Sequence, residues 1–249
     1  MAIQGNTPLS CSRIAADDAL GVPYSKAAEL FVQSTEAVPG QPLIQQQDGD
    51  QVLKFLHQEL STVRLETMYW ALFLVSKRRN ISPLHHQTIK GRQILITERP
   101  DLHLVWHYNR ILIKPIPPCL LSYDFYRKFL NSSTDQLHQL RKDANGFLKT
   151  YASLIMYESD LNMARDIGLV PSTTDWTSWC HFIDKIRYLN IMEVSPRYQY
   201  GELRLTRLNF YHRVVSFGQS YLDVHHQYLS FFSAFIAPYL FIFGAVAFT

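Results

Sequence analysis

The chain has 249 residues, 47% of them hydrophobic and 18% charged, with a net charge of +3. That is enough apolar material for one packed domain, or one domain plus an anchor, and it excludes wholesale disorder. The charge is too mild to mark a basic nucleic-acid face, and no RNA- or DNA-binding signature is present, so no nucleic-acid partner is expected.

Residues 1–50 read as a weakly ordered N-terminal tail. They carry Pro8, Pro23, Pro39, Pro42 and the run Gln45, Gln46, Gln47. A short helix over 24–34 would use Leu30 and Phe31 as its apolar contacts. The stretch 1–20 has no apolar core of the signal-peptide kind. Three widely spaced cysteines, Cys11, Cys119 and Cys180, give no zinc pattern and suit a reducing compartment. The folded part is therefore expected to face the cytosol.

Residues 51–227 read as a mainly helical cytosolic domain. Leu53, Leu56, Leu60, Val63 and Tyr69 recur near the helical period and predict a helix over 51–76. Its end, the apolar run 68–75, is too short for a span of about 20 residues and reads as a buried helix end. Lys77, Arg78 and Arg79 suit the negative end of the helix dipole. Residues 93–97, 102–107 and 111–114 read as strands, a small β-element near 93–114. The prolines at 115, 117 and 118 must leave that sheet.

Helices resume over 120–130, then from a cap at Ser133 or Thr134 through Leu161. Gly146 is a candidate bend, and Gly168 with Pro171 a stop. Asp175 is a cap for 176–189, and Ser195–Pro196 marks a loop. A last helix is expected from near Glu202 into the C-terminal apolar segment.

Residues 228–249 are 22 residues without a charge. As a helix they reach about 33 Å, against a hydrocarbon core of about 30 Å. Eleven are Leu, Ile, Val or Phe, favouring insertion by about 5 kcal/mol, with Pro238 a tolerable kink. The near-neutral mean hydropathy excludes many spans but not one. The competing reading is a core helix. The expected fold class is thus mainly α: a helical domain, a small β-hairpin or three-strand element, and a C-terminal transmembrane helix. Arg204, Arg207 and Arg213 before that segment predict a single-pass protein with its N-terminal domain in the cytosol and membrane lipid as a partner.

Arg197, Arg204 and Arg207, with Tyr200 and Glu202 between them, are the candidate ligand or headgroup residues. Guanidinium groups bind phosphate and carboxylate bidentately. The structural alternatives are a basic collar beside headgroups, or pairing with Glu202 and Glu193. His85–His86, His103 with His107, and His225–His226 invite a metal reading. In a strand, however, His103 and His107 would stand about 13 Å apart, so no metal is assigned. No nucleophile elbow, phosphate loop or dinucleotide fingerprint occurs, and no cofactor is assigned. Glu158 and Asp160 read as a solvated acidic face.

Residues 91–106, 113–117, 157–160 and 195–209 resemble a family of uncharacterised integral membrane proteins from filamentous fungi. The shared pattern runs Gly-Arg-x-x-x-Ile-Thr-Glu-x-Pro-Asp-Leu-His-Leu-Val-Trp, then Ile-Lys-Pro-Ile-Pro, then the arginine-bearing stretch from Ser195 to Asn209. The likeness covers about 53–249. It implies a fungal source, a cytosolic helical domain and a C-terminal membrane region. It carries no activity and no catalytic residue. The expected role is a membrane-anchored module that positions or contacts a protein partner. The alternative is a membrane-bound enzyme or accessory factor acting on an apolar metabolite in fungal secondary metabolism.

Overall fold

The computed structural model describes residues 21–31, 36–131, 135–215 and 219–222. The described residues up to Leu208 form one compact unit, and those from Asn209 belong to a second.

The first unit opens with a two-stranded hairpin, β1 (Ala37–Val38) and β2 (Gln41–Gln45). Val22, Tyr24, Ala28 and Val38 are buried, and the Tyr24 hydroxyl donates to the Leu120 carbonyl at 2.7 Å. Part of the stretch expected as a tail is therefore core. The short helix expected there is a single turn, Lys26–Ala28.

The helix expected over 51–76 is three: α1 (Gly49–Leu60), α2 (Val63–Glu66) and α3 (Tyr69–Val75). Asp48 caps the first by accepting from the Gln51 N–H. Ser61 leaves it in an extended conformation. Thr62 is fully buried, and its hydroxyl donates to Asp143 at 3.1 Å. A buried tertiary hydrogen bond outweighs the local helical period at this point.

After α4 (Leu84–Ile89) come β3 (Gln93–Ile96), β4 (Val105–His107) and β5 (Arg110–Ile113). β3 runs parallel to β5, and β4 antiparallel to it through a two-residue turn in which Tyr108 has φ 51°. A fourth strand, β6 (Leu203–Arg204), lies parallel to β4, giving the order β3-β5-β4-β6. Sequence periodicity placed the start of a helix there. The Leu203 N–H instead donates to Leu104 O at 2.8 Å, and the helix begins three residues after Glu202.

A short helix at Tyr123–Phe125 (α5) widens into a π-turn over Tyr126–Leu130. α6 (Asp135–Leu154) is the central helix, and α1 and α8 (Trp176–Arg187) pack on it. Phe147, Leu148 and Tyr151 of α6 meet Leu56 and Leu60 of α1 and Trp179 and Phe182 of α8 in one core. Gly146 admits the Tyr198 ring, which a Cβ would meet at 2.5 Å. α6 stops at Leu154 rather than running through Leu161. Asp160, expected on a solvated face, is fully buried. It accepts from the N–H groups of Met156 and Tyr157, starting α7 (Glu158–Asp166) afresh. Gly168, at φ 75°, ends α7, and Asp175 caps α8.

α9 (Leu205–Val215) closes the described helices. In the second unit the Asn209 side chain exchanges two hydrogen bonds with the backbone of Leu222, at 2.9 and 3.1 Å.

Among the described residues no helix is long and apolar enough to cross a membrane. The 20-residue α6 carries five charged residues, Asp135, Arg141, Lys142, Asp143 and Lys149, and is an amphipathic core helix. This corrects the expected transmembrane helix, the single-pass topology and the membrane placement drawn from it. Residues 228–249, on which they rested, lie outside the described residues.

Gly201 packs against backbone: an added Cβ would lie 2.1 Å from the Asn80 carbonyl oxygen. Gly201→Ala should therefore cost about 3 kcal/mol, because the main chain must shift. Gly49→Ala, in open space, should stay within about 0.5 kcal/mol. Urea denaturation of both variants checks the contrast.

Candidate functional site

The stretch Ser195 to Asn209 holds every candidate residue, and the fold distributes them. Arg197 is fully buried at the start of a 3-10 turn. Its guanidinium donates to the carbonyls of Tyr200 and Gly201, at 3.1 and 3.2 Å, and of His103, at 2.7 Å. The group is used inside the fold as a clamp on three carbonyls.

Glu202 is also buried. It accepts from Arg92 at 2.6 Å, from the Gln87 amide at 2.7 Å and from the Ser82 N–H at 2.9 Å. Burial alone would raise its pKa, but the bonds from Arg92, Ser82 and Gln87 together hold it below its ordinary value. Arg92 in turn covers Trp106, with 4.3 Å to the ring centroid, and the exposed Arg204 lies 5.3 Å from the same ring. Arg204 and Arg207 do not share a helix face, because Arg204 ends β6. The fold thus brings Arg197 onto the Tyr200 carbonyl and gives Glu202, Arg204 and Arg207 partners of their own. Arg92, the partner of Glu202, was missed because 110 residues of sequence separate the two.

The same stretch mounts α3. Tyr200 packs edge-on against Tyr69 with ring centroids 5.9 Å apart, and the Tyr69 hydroxyl donates to Gln199 at 3.2 Å. Tyr200 bridges Arg78, and the Gly201 N–H donates to Lys77 O. Arg207 donates to Leu74 O at 3.2 Å, in the last turn of α3 where carbonyls lack helical partners. Held from behind in this way, α3 buries Ala71, Leu72 and Val75 and turns Trp70, Phe73 and Leu74 outward. Phe73 is 61% exposed and Trp70 53%. Lys77, Arg78 and Arg207 are exposed beside this face. The run 68–75 was expected to be a buried helix end. Eight consecutive apolar residues on a helix cannot all face one core, which was the available signal.

A polar layer lies beneath. Burial, and then the charges of Arg197 and Lys114, push the His103 imidazole well below its usual pKa. Its Nδ1 accepts the Lys114 N–H at 3.1 Å. Nε2 therefore carries the proton and donates to Thr150 Oγ1 at 2.9 Å. His85 pairs with Asp160 at 2.8 Å. His225 and His226 lie outside the described residues. Burial raises Asp143 to about 7, with Glu66 adding to the rise while Ser195 and Thr62 oppose it.

The sequence model of a family of unknown function, DUF6601, matches residues 52–249. No curated protein and no solved structure matches the chain.

Asp143 generates a pH test. A carboxyl whose folded pKa is raised stabilises the fold while protonated, so that contribution is complete below about pH 4 and is lost as pH rises through about 7. Asp143→Asn should remove the loss. Relative to the wild type, the variant should gain up to about 4 kcal/mol between pH 4 and pH 8, read by urea denaturation across that range.

Proposed function

Because the chain belongs to DUF6601, a family of unknown function, it inherits no activity, and we propose that it is a mainly helical module that docks on an acidic protein partner. One observation carries this reading. Trp70, Phe73 and Leu74 stand exposed on a helix whose other face is fixed in the core. Large aromatic side chains on a rigid element are what interface centres use. The cations Lys77, Arg78 and Arg207 beside them select the partner's chemistry: an apolar helix face flanked by aspartate or glutamate.

The fungal source and the shared motifs belong to the same reading. Arg92 and Glu202 form one ion pair, Arg197 is the carbonyl clamp, and Gly201 is the backbone contact. Each serves the mount of α3. An alignment of family members drawn from fungi should keep all four; frequent replacement of any of them would remove that support.

The docking test uses the full chain in its native host, with a photo-crosslinking residue at position 73. The expected product is one protein, joined through an apolar segment that carries acidic residues. With that protein purified, Phe73→Asp should weaken binding roughly 30-fold. Lys77→Glu with Arg78→Glu should weaken it roughly tenfold at low salt and much less at high salt. Crosslinking only to lipid, or to another copy of the chain, would overturn the proposal.

A further inference from the structure

A cleft of about 220 Å³ opens beside the C-terminal half of α6. Three cations from three separate parts of the chain line it: Arg79 from the loop after α3, Lys149 from α6 and Arg187 from the last turn of α8. Among the described residues no carboxylate lines it. The nearby Glu193 is already engaged, accepting the Asn190 N–H at 2.8 Å. Ile81, Ile191 and Val194 supply an apolar wall. Lys149 also donates to the Leu189 carbonyl, which fixes its ammonium at the cleft.

Three cations share one nearby carboxylate, Glu193, whose charge favours the charged form of Lys149, so their mutual repulsion is only partly compensated. Arg79 is held at φ 54°, a left-handed conformation that a long side chain rarely adopts. Its backbone is kept there by an N–H bond to Gln199 O at 3.3 Å. Burial, and next the charge of Arg79, lower the pKa of Lys149. A bound anion offsets the repulsion among the three cations.

The geometry points to a binding site for a small phosphate monoester, with its dianion among Arg79, Lys149 and Arg187 and its organic part against Ile81, Ile191 and Val194. The charge count decides between anions. A monocarboxylate compensates one of the three cations, whereas a phosphate monoester near neutral pH carries close to two charges and three acceptor oxygens. The volume suits a compact ligand. The site uses none of the residues of the α3 face, so it stands or falls separately from the docking proposal.

Calorimetric titration of the full chain with phenyl phosphate, inorganic phosphate and benzoate tests it. Phenyl phosphate should bind saturably, about tenfold tighter than inorganic phosphate because its ring gains the apolar wall, and benzoate should bind weakest. Arg79→Gln and Arg187→Gln should each weaken phenyl phosphate at least tenfold. Both side chains are exposed, so thermal unfolding of the unliganded variants should match the wild type. A further arm adds phosphatidylcholine vesicles with and without phosphatidic acid. Loss of the phenyl phosphate signal only with phosphatidic acid assigns the phosphate to a lipid headgroup; an unchanged signal assigns it to a free metabolite. Benzoate binding as tightly as phenyl phosphate, unchanged affinity in both arginine variants, or no saturable binding of either phosphate at millimolar concentration would overturn the assignment.

Discussion

The grip of Arg197 on three carbonyls is the constraint from which the region around the sheet follows. A guanidinium taken wholly out of water is tolerable only where acceptors meet its fork of donors. Here the acceptors are the carbonyls of His103, Tyr200 and Gly201. Because His103 lies just before β4, the clamp sets the height at which the later segment runs beside that strand. Once it is set, Leu203 pairs with Leu104, Glu202 reaches Arg92, and Gly201 closes on Asn80. These contacts reinforce one another, which is how a buried charge serves specificity more than bulk stability.

The apolar core is threaded by polar pairs that act at long range in sequence. Thr62 meets Asp143, His103 meets Thr150, and the Tyr151 hydroxyl donates to the Lys114 carbonyl. Lys114, only 1% exposed, reaches Glu59 at 2.7 Å. Each bond satisfies a group that would otherwise be costly to bury. Each also ties α6 or the sheet to a distant turn, so the interior has one register rather than several interchangeable ones.

What the sequence made legible was local. Asp175 and Gly168 have caps and stops written into residue type, and short apolar runs rich in Ile, Leu and Val over 93–113 announce strands. What it hid was tertiary. The break at Ser61 exists because Thr62 has a partner in α6, and a two-residue strand at Leu203 has too little periodicity to register. Asp160 looked like surface because its buried capping role depends on the helix break between Leu154 and Glu158. The arginine cluster was a candidate for one site, beside the readings of a basic collar or of structural pairing, because its members are close in sequence. The fold gives each a separate partner, and it collects Arg79, Lys149 and Arg187 from positions that no linear pattern connects. The membrane reading rested on the hydropathy of residues 228–249, on the arginines before them and on the family resemblance, and no described helix supports it.

The clamp joins residues 94 positions apart, and that separation has a consequence during synthesis. At the usual pace of translation, roughly 5 to 20 residues per second, His103 waits about 5 to 20 s for its guanidinium. Through that interval β4 lacks β6. Val105–His107 is then an edge strand with unpaired amides, open to pairing with another nascent chain. Its brevity limits that danger, since three residues offer little purchase for a foreign strand. The shortness of β4 thus limits the edge left open until β6 is delivered.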